Sequence, residues 1–422
     1  MLHILKRVIF VVVLAISLVV TALSAEKSTP DDSLKALIRS ALDEGAHYAI
    51  TVLLDEQGKA RGDYSIIEGK WSPYEPAWHT GQLIYGLLEA YKITQNPEYL
   101  EHAKGAGNWW VSLAITDHPK LKGMVKTIHG NGIEKICFAT MTDGANGIFE
   151  LWRISEDEKY ASVATTAGEW MLQNMYIPEH KLFYDFVDPT TGEVQKTWSD
   201  FWPEKKEQVL TDVARPNNEG YLYRDMYEYT RNEKYKRLFL ELCDGLVDKQ
   251  GPEGLWMEFT PNNNSTGSFH PRFNIWYAES LVKGYEMTGN RKYLDAAKKT
   301  LAFYTKFQKK DGTIYYDNNI DGTSKENSPS GSTTSFAGIV WIQLLMHGVG
   351  DEFKGNIERS FQWVMSNRYA KDHPDANLAG GFYNLRMSIK NGRHRIVQRD
   401  IGTAFGLRFL AEYYRYKFTT EK

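Results

Sequence analysis

SFHPRFNIWYAESLVKGYEMTGNRKYLDAAKKTLAFYTKFQKKDGTIYYD, residues 268–317, decides the fold. Within it Phe273, Trp276, Tyr277, Ser280, Leu281, Gly284 and Tyr285 recur at helical spacing, so Phe273–Met287 is expected to be an amphipathic helix. Thr288-Gly289-Asn290 stops it, because glycine tolerates the left-handed turn at a helix end. A second helix follows, with Tyr293, Ala297, Leu301, Tyr304 and Phe307 on one stripe, and Asp311-Gly312 ends it. The unit is a helical hairpin with a polar, aromatic loop on either side.

The turn of this hairpin recurs along the chain as ITQNPEYLEHA, ISEDEKYASVA, YTRNEKYKRLF, MTGNRKYLDAA and the weaker GVGDEFKGNIE. Each copy places an aromatic at the start of a second helix: Tyr99, Tyr160, Tyr235, Tyr293 and Phe353, spaced 58 to 75 residues apart. A period of that length is the mark of stacked supersecondary units. First helices are expected near Trp78–Tyr91, Asp143–Ile154, Asn218–Tyr229, Phe273–Met287, Thr333–His347 and Ile401–Tyr414. Second helices are expected near Pro97–Ile115, Glu158–Met175, Glu233–Lys249, Arg291–Lys309 and Glu352–Asn367, and Asp31 to about Leu54 supplies the sixth. A chain whose first helix pairs with its last closes a ring, so the expected fold is all-α, an (α/α)6 toroid. The alternative is an open solenoid, which would need a polar capping face that TAFGLRFLAEYY lacks. Gly81, Gly86, Gly144, Gly147, Gly338, Gly402 and Gly406 would let inner helices crowd round the axis.

Composition bounds the function. The formal net charge is −3, with no basic excess, so nucleic acid is not an expected partner. Cys137 and Cys243 are the only cysteines and are expected as buried free thiols; no zinc pattern or cofactor motif is read. Lys6 and Arg7, followed by the apolar run Val8–Leu23 and small residues to Ala25, form an expected signal peptide over residues 1–25. A single membrane anchor is the alternative reading. With cleavage, residues 26–422 would be one toroidal catalytic domain, periplasmic or secreted, monomeric, and not membrane-bound.

The loops before the inner helices are long, and the turns at the other end are short. Long loops on one face build a groove. They carry Trp78 and His79, then His129 and Asn131, then Asp143, then Trp202, then Arg215, Asn217, Asn218 and Tyr221, then His270, Arg272 and Tyr277, then Tyr315 and Tyr316. NGRHRIVQRD adds Arg393, His394, Arg395, Arg399 and Asp400. Taken singly, Asp143 and Asp400 would be helix caps, the tryptophans core, and the arginine run a solvated loop. DHPDANLAGG is expected to be a structural turn, since it lacks a full calcium-ligand spacing. Together the loops bring aromatics, amides and guanidinium groups to one groove, which suits an acidic polysaccharide or oligosaccharide, because arginine pairs bidentately with a carboxylate.

Two reactions fit that groove. In β-elimination a uronate carboxylate is neutralised and a Tyr or His removes the C5 proton, with His270, Arg272, Tyr277, Asn218 and Tyr221 as the expected catalytic set. The remaining residues named, from Trp78 to Tyr316, would bind substrate. In hydrolysis two carboxylates act, with Glu75, Asp143, Asp200, Glu219 and Asp317 as candidates.

The repeated hairpin resembles that of six-hairpin (α/α) toroids among carbohydrate-active enzymes. EPAWHTGQLIYGLLEAYKITQNPEYL, residues 75–100, resembles the equivalent hairpin of the unsaturated-uronyl and arabinofuranosyl hydrolases and of the C-terminal domain of D-glucuronyl C5-epimerases, which DGTIYYD also resembles. PNNEGY, residues 216–221, is similar to the Asn-Asn-His-x-Tyr run of toroidal alginate lyases. That likeness implies roles for Asn217, Asn218 and Tyr221, while Glu219 stands where the family has its histidine. The resemblance as a whole implies an exported polysaccharide lyase acting on uronates. A glycoside hydrolase on the same glycans is the alternative, then a C5-epimerase or a non-catalytic glycan-binding protein.

Overall fold

A computed structural model describes residues 30–129, 134–197, 209–216, 220–390 and 392–419. Ala41–Lys422 form one compact unit; of Met1–Ser40 the described part, residues 30–40, is helical. The expected signal peptide and Asn131, Trp202, Asn217 and Asn218 lie outside the described residues, as do Asp200 and Glu219.

Twelve α-helices occur among the described residues: α1 (Pro30–Tyr48), α2 (Pro76–Thr94), α3 (Pro97–Val111), α4 (Phe138–Ser155), α5 (Glu158–Asn174), α6 (Leu222–Thr230), α7 (Glu233–Lys249), α8 (Phe273–Thr288), α9 (Arg291–Tyr304), α10 (Gly331–Met346), α11 (Lys354–Ser366) and α12 (Ile401–Phe418). From α2 onward the even-numbered helices are largely buried, and the odd-numbered ones bury one stripe, as inner and outer layers require. Helix α12 packs against both α2 and α10, so the last inner helix lies beside the first. Gly45 of α1 meets Leu407 of α12. The ring of the (α/α)6 toroid is therefore closed. No described helix is long and apolar enough to cross a membrane. Cys137 and Cys243 are buried and form no disulfide.

The repeated turn has a common chemistry. Gln95, Glu156, Arg231 and Gly289 end inner helices in the left-handed conformation, at φ 63°, 57°, 56° and 69°. The next residue caps the outer helix: the side chains of Asn96, Asp157, Asn232 and Asn290 each accept from the backbone N–H two residues on. The repeat tyrosine then reaches the preceding outer helix. The hydroxyl of Tyr99 donates to Asp43 (2.9 Å), that of Tyr160 to Asn108 (3.1 Å), that of Tyr235 to Glu169 (2.9 Å) and that of Tyr293 to Asp244 (2.5 Å). The repeat is thus a clasp between neighbouring hairpins.

Three expectations change. Helix α4 begins at Phe138, so Asp143 lies within it and is no cap. The expected sixth outer helix stays α-helical to Tyr48 and continues as a π-helix over Ala49–Leu53. The rim loops are not structureless. They hold short antiparallel strands: β1 (Asp63–Ser65), β2 (Lys70–Ser72), β3 (Ile136–Cys137), β4 (Tyr176–Ile177), β5 (Leu182–Tyr184), β6 (Phe186–Val187), β7 (Ala214–Arg215), β8 (Ser268–Phe269), β9 (Asn318–Asn319), β10 (Leu385–Lys390) and β11 (Arg393–Arg399). The largest sheet has the order β10-β11-β1-β2. Its hairpin replaces the solvated loop expected for the arginine run. The DHPDANLAGG segment is a turn: the Asp375 carboxylate accepts from the Tyr64 hydroxyl at 2.6 Å and from the Asn377 N–H at 2.9 Å.

Inner helices α2 and α4 touch backbone to backbone. A Cβ on Gly147 would lie 1.8 Å from the carbonyl oxygen of Gly81, and one on Gly81 would lie 2.1 Å from that of Gly144. Backbone cannot yield as a side-chain tip can, so overpacking here falls at the severe end. Gly147→Ala should destabilise the protein by about 3 kcal/mol in urea unfolding, whereas Gly105→Ala, where a Cβ meets nothing within 4 Å, should not destabilise it.

Candidate functional site

The rim loops enclose a cavity of about 550 Å³, within the range of ligand pockets. Strands β8 and β9 pair in the register Ser268↔Asn319 and Phe269↔Asn318. That pairing joins the loop holding His270 and Arg272 to the loop holding Tyr316, and His129 lines the same cavity.

Arg272 precedes α8 and is 1% exposed. Its guanidinium carbon lies 5.3, 5.9 and 5.4 Å from the ring centres of Trp78, Trp276 and Tyr316. Nη1 donates to Ser332 Oγ at 2.9 Å, and Nε has no partner. Among the described residues it has no ion pair. Burial holds its charged form below the ordinary arginine stability. A buried cation without a counter-ion is an anion receptor in waiting, because its desolvation is uncompensated until an anion arrives.

Arg399 ends β11 opposite Asp63 of β1, its cross-strand partner. Nε and Nη2 grip the two Asp63 carboxylate oxygens at 2.9 and 3.2 Å. Nη1 remains to donate to the Tyr316 hydroxyl at 3.2 Å, and the guanidinium stacks 3.9 Å over the centre of the Tyr74 ring. Arg386 of β10 lies 5.2 Å from the centre of the Tyr316 ring. Burial alone would push a phenol up; the guanidinium groups of Arg399, Arg386 and Arg272 outweigh it and bring the Tyr316 hydroxyl below the usual 10.

His270 completes this arrangement. Its Nδ1 accepts from the Arg272 backbone N–H at 3.3 Å, so the neutral ring carries its proton on Nε2. Nε2 lies 3.3 Å from the Tyr316 oxygen and points its N–H there. Burial, then Arg272, Arg399, Arg386 and Arg215, hold His270 neutral, well below its ordinary 6.5. The Tyr316 oxygen therefore faces two donors, which favours the phenolate.

Across the cavity, Glu75 sits before α2 at φ 40° and ψ 57°, a left-handed conformation that a non-glycine residue holds under strain. Its carboxylate does not cap α2 but meets His129 Nδ1 at 2.7 Å. Burial opposes both charges, yet the mutual attraction prevails: Glu75 is lowered to about 2 and His129 raised to about 10. Behind them His79, with 0% exposure, bonds through Nδ1 to Asp400 at 2.5 Å, and its Nε2 has no partner. Asp400 is therefore no ordinary cap; its other oxygen accepts from the Gly62 N–H at 2.9 Å.

Arg215 also lines the cavity, bound to Asp185 at 2.6 Å and stacked 4.5 Å over the Phe273 ring. Asp143, Asp317 and Glu326 add carboxyl groups to the lining. Burial and the nearby Asp317 raise Glu326, favouring its protonated form. Among the described residues no group of three or more His, Cys, Asp or Glu side chains is placed to hold a metal ion.

Of the expected residues the cavity gathers Trp78, His129, Asp143, Arg215, His270, Arg272 and Tyr316. His79 lies behind the wall, its ring centre 4.6 Å from that of Trp78. Three others are elsewhere. Tyr277 is buried edge-on against Trp256, because one helical turn from Arg272 carries it below the rim. Tyr221 starts the short α6 and lies with its hydroxyl 3.1 Å from that of Tyr85 in the core. Tyr315 points away from Tyr316, as alternation in extended chain dictates, and lies under Lys309. Arg386, Asp63 and Trp276 were not expected. The signal for Arg386 was present: Asn391-Gly392 between alternating residues marks a hairpin.

No protein-family model matches the chain, and no curated protein does. Solved structures do. A cellobiose 2-epimerase from Bacillus thermoamylovorans B4167 superposes with a TM-score of 0.67 at 15% identity, over 89% of this chain and 99% of that one. A sugar epimerase from a ruminal bacterium gives 0.68 at 14%, over 90% and 98%. The unsaturated glucuronyl hydrolase of Bacillus sp. GL1 gives 0.62 at 13%, over 89% and 96%. Likeness at these identities shows the fold, an (α/α)6 toroid.

The Glu75–His129 pair has a defined pH window. Glu75, lowered from 4.5, contributes fully above 4.5 and loses its contribution as pH falls toward 2. His129, raised from 6.5, contributes fully below 6.5 and loses its contribution as pH rises through 10. Glu75→Gln should therefore lower the urea midpoint most between pH 4.5 and 6.5, with a smaller loss near pH 10.

Proposed function

We propose that this chain is an enzyme that processes uronate-containing saccharides, and that it cleaves them by β-elimination. The observation that carries the reading is the buried, unpaired Arg272 beside a Tyr316 oxygen that faces two donors. A uronate carboxylate on Arg272 would lose charge to the guanidinium, and its C5 proton would become more acidic. The Tyr316 phenolate takes that proton. The C5–H electron pair forms the C4–C5 double bond, the C4–O bond breaks, and the leaving oxygen takes a proton from the cavity's acids. The base is thus Tyr316 in place of Tyr277. Trp78 and Trp276 hold the Arg272 guanidinium in place beneath the substrate carboxylate. The solved toroids named above as saccharide epimerases and a glucuronyl hydrolase support a saccharide substrate. The apolar run Val8–Leu23 supports export to the periplasm or beyond.

Hydrolysis is the second reading, favoured by Glu326: a carboxyl group raised toward its protonated form suits a general acid.

With alginate, glucuronan or pectate as substrate, the ultraviolet absorbance of an unsaturated uronate should appear. New reducing ends without that absorbance would mean hydrolysis. Tyr316→Phe should lower kcat about 10²- to 10⁴-fold, the usual worth of a general base. Arg272→Met should weaken uronate binding at least about tenfold, since a buried charge pair is lost, yet raise the urea midpoint, because an uncompensated buried charge disappears.

A further inference from the structure

We infer that the β10–β11 hairpin extends the cavity into a cationic track for the following acidic residues of the same glycan chain. The inference rests on the anionic-saccharide reading of the cavity. Residues of a strand alternate between faces, and registered partners share one. The register is Arg386↔Val397 and Ser388↔Arg395, with Arg393 two residues farther along β11. Arg386 and Ser388 line the cavity, and Arg399 on the same face of β11 reaches Tyr316. Arg395 and Arg393 therefore continue outward on the cavity face. Both are exposed, and among the described residues neither has an ion-pair partner. The opposite face carries Met387, Ile389 and Ile396, with Ile389 66% exposed. The ribbon thus turns its arginines toward the cavity. Asp317 and Glu326 line the cavity with Arg386, and burial and Asp317 raise Glu326 toward its neutral form. A sugar polymer with a charge on successive residues would place its first carboxylate on Arg272 and the next ones along Arg395 and Arg393. A neutral glycan would gain nothing from the ribbon.

The test is calorimetric binding of oligoglucuronates of two and six residues to the full chain carrying Tyr316→Phe, which slows turnover. The hexamer should bind about tenfold more tightly than the dimer, the worth of two exposed charge contacts, and added salt should erase the difference. Adding Arg393→Gln and Arg395→Gln should equalise the two lengths and leave the dimer's affinity unchanged, which also shows that the variant is folded. Each single substitution should give an intermediate value. A hexamer advantage that survives the double substitution, or that is absent from the parent, overturns the inference. If neither length binds the parent, the saccharide reading falls and the track with it. If the length effect is found but the active enzyme makes no unsaturated uronate, elimination alone is wrong and the track stands.

Discussion

The guanidinium groups of Arg215, Arg272 and Arg386 line one cavity, Arg399 reaches it through Tyr316, and two carboxylates, Asp185 and Asp63, are bound to Arg215 and Arg399. Like charges held together repel, and the buried Arg215, Arg272 and Arg399 lose their hydration. The surrounding chemistry answers that load. Tyr316 is drawn toward the phenolate, and His270 is kept neutral. The stacking of Arg272 between Trp78 and Trp276, and of Arg399 over Tyr74, spreads charge over aromatic faces. The poise of Tyr316 and His270 follows from this clustering of guanidinium groups. An anionic ligand would relieve it.

The scaffold makes such an imbalance tolerable. Inner helices that meet at glycine and outer helices joined by tyrosine clasps form a ring held by contacts away from the rim. The rim loops are then held by short strand pairs. The pairing Asp63↔Arg399 shows the economy of this: one register sets both the sheet and the ion pair.

Much of this was legible in the residues. The periodicity of Phe273–Met287 and the turn TGNRKY gave the first helix within a residue and the start of the second, because a 3.6-residue stripe and an Asn cap are local signals, while the second helix stops at Tyr304, short of the expected Lys309. Grouping His129, His270, Arg272 and Tyr316 on one rim followed from loop length alone. Tyr277, expected in the catalytic set, lies below the rim against Trp256 for a physical reason. Helical residues near a rim look alike in sequence, and only the strand pairing β8–β9 shows which tyrosine faces the arginines. Arg386 and Arg399 were hidden by treating the arginine run as loop when its alternation about Asn391-Gly392 described a ribbon. Nothing local announces that Asp400 would turn to His79, since their contact spans 321 residues.

The closure of α12 onto α2 has a further consequence. An open array of repeats can fray from an end, one unit at a time, because each terminal unit has a single neighbour. In a closed ring every hairpin has two. Losing any one of them removes two interfaces together and opens the axis to water. Unfolding of the toroid should thus be close to all-or-none despite its repetitive build, and the first hairpin to leave would take the rim chemistry with it.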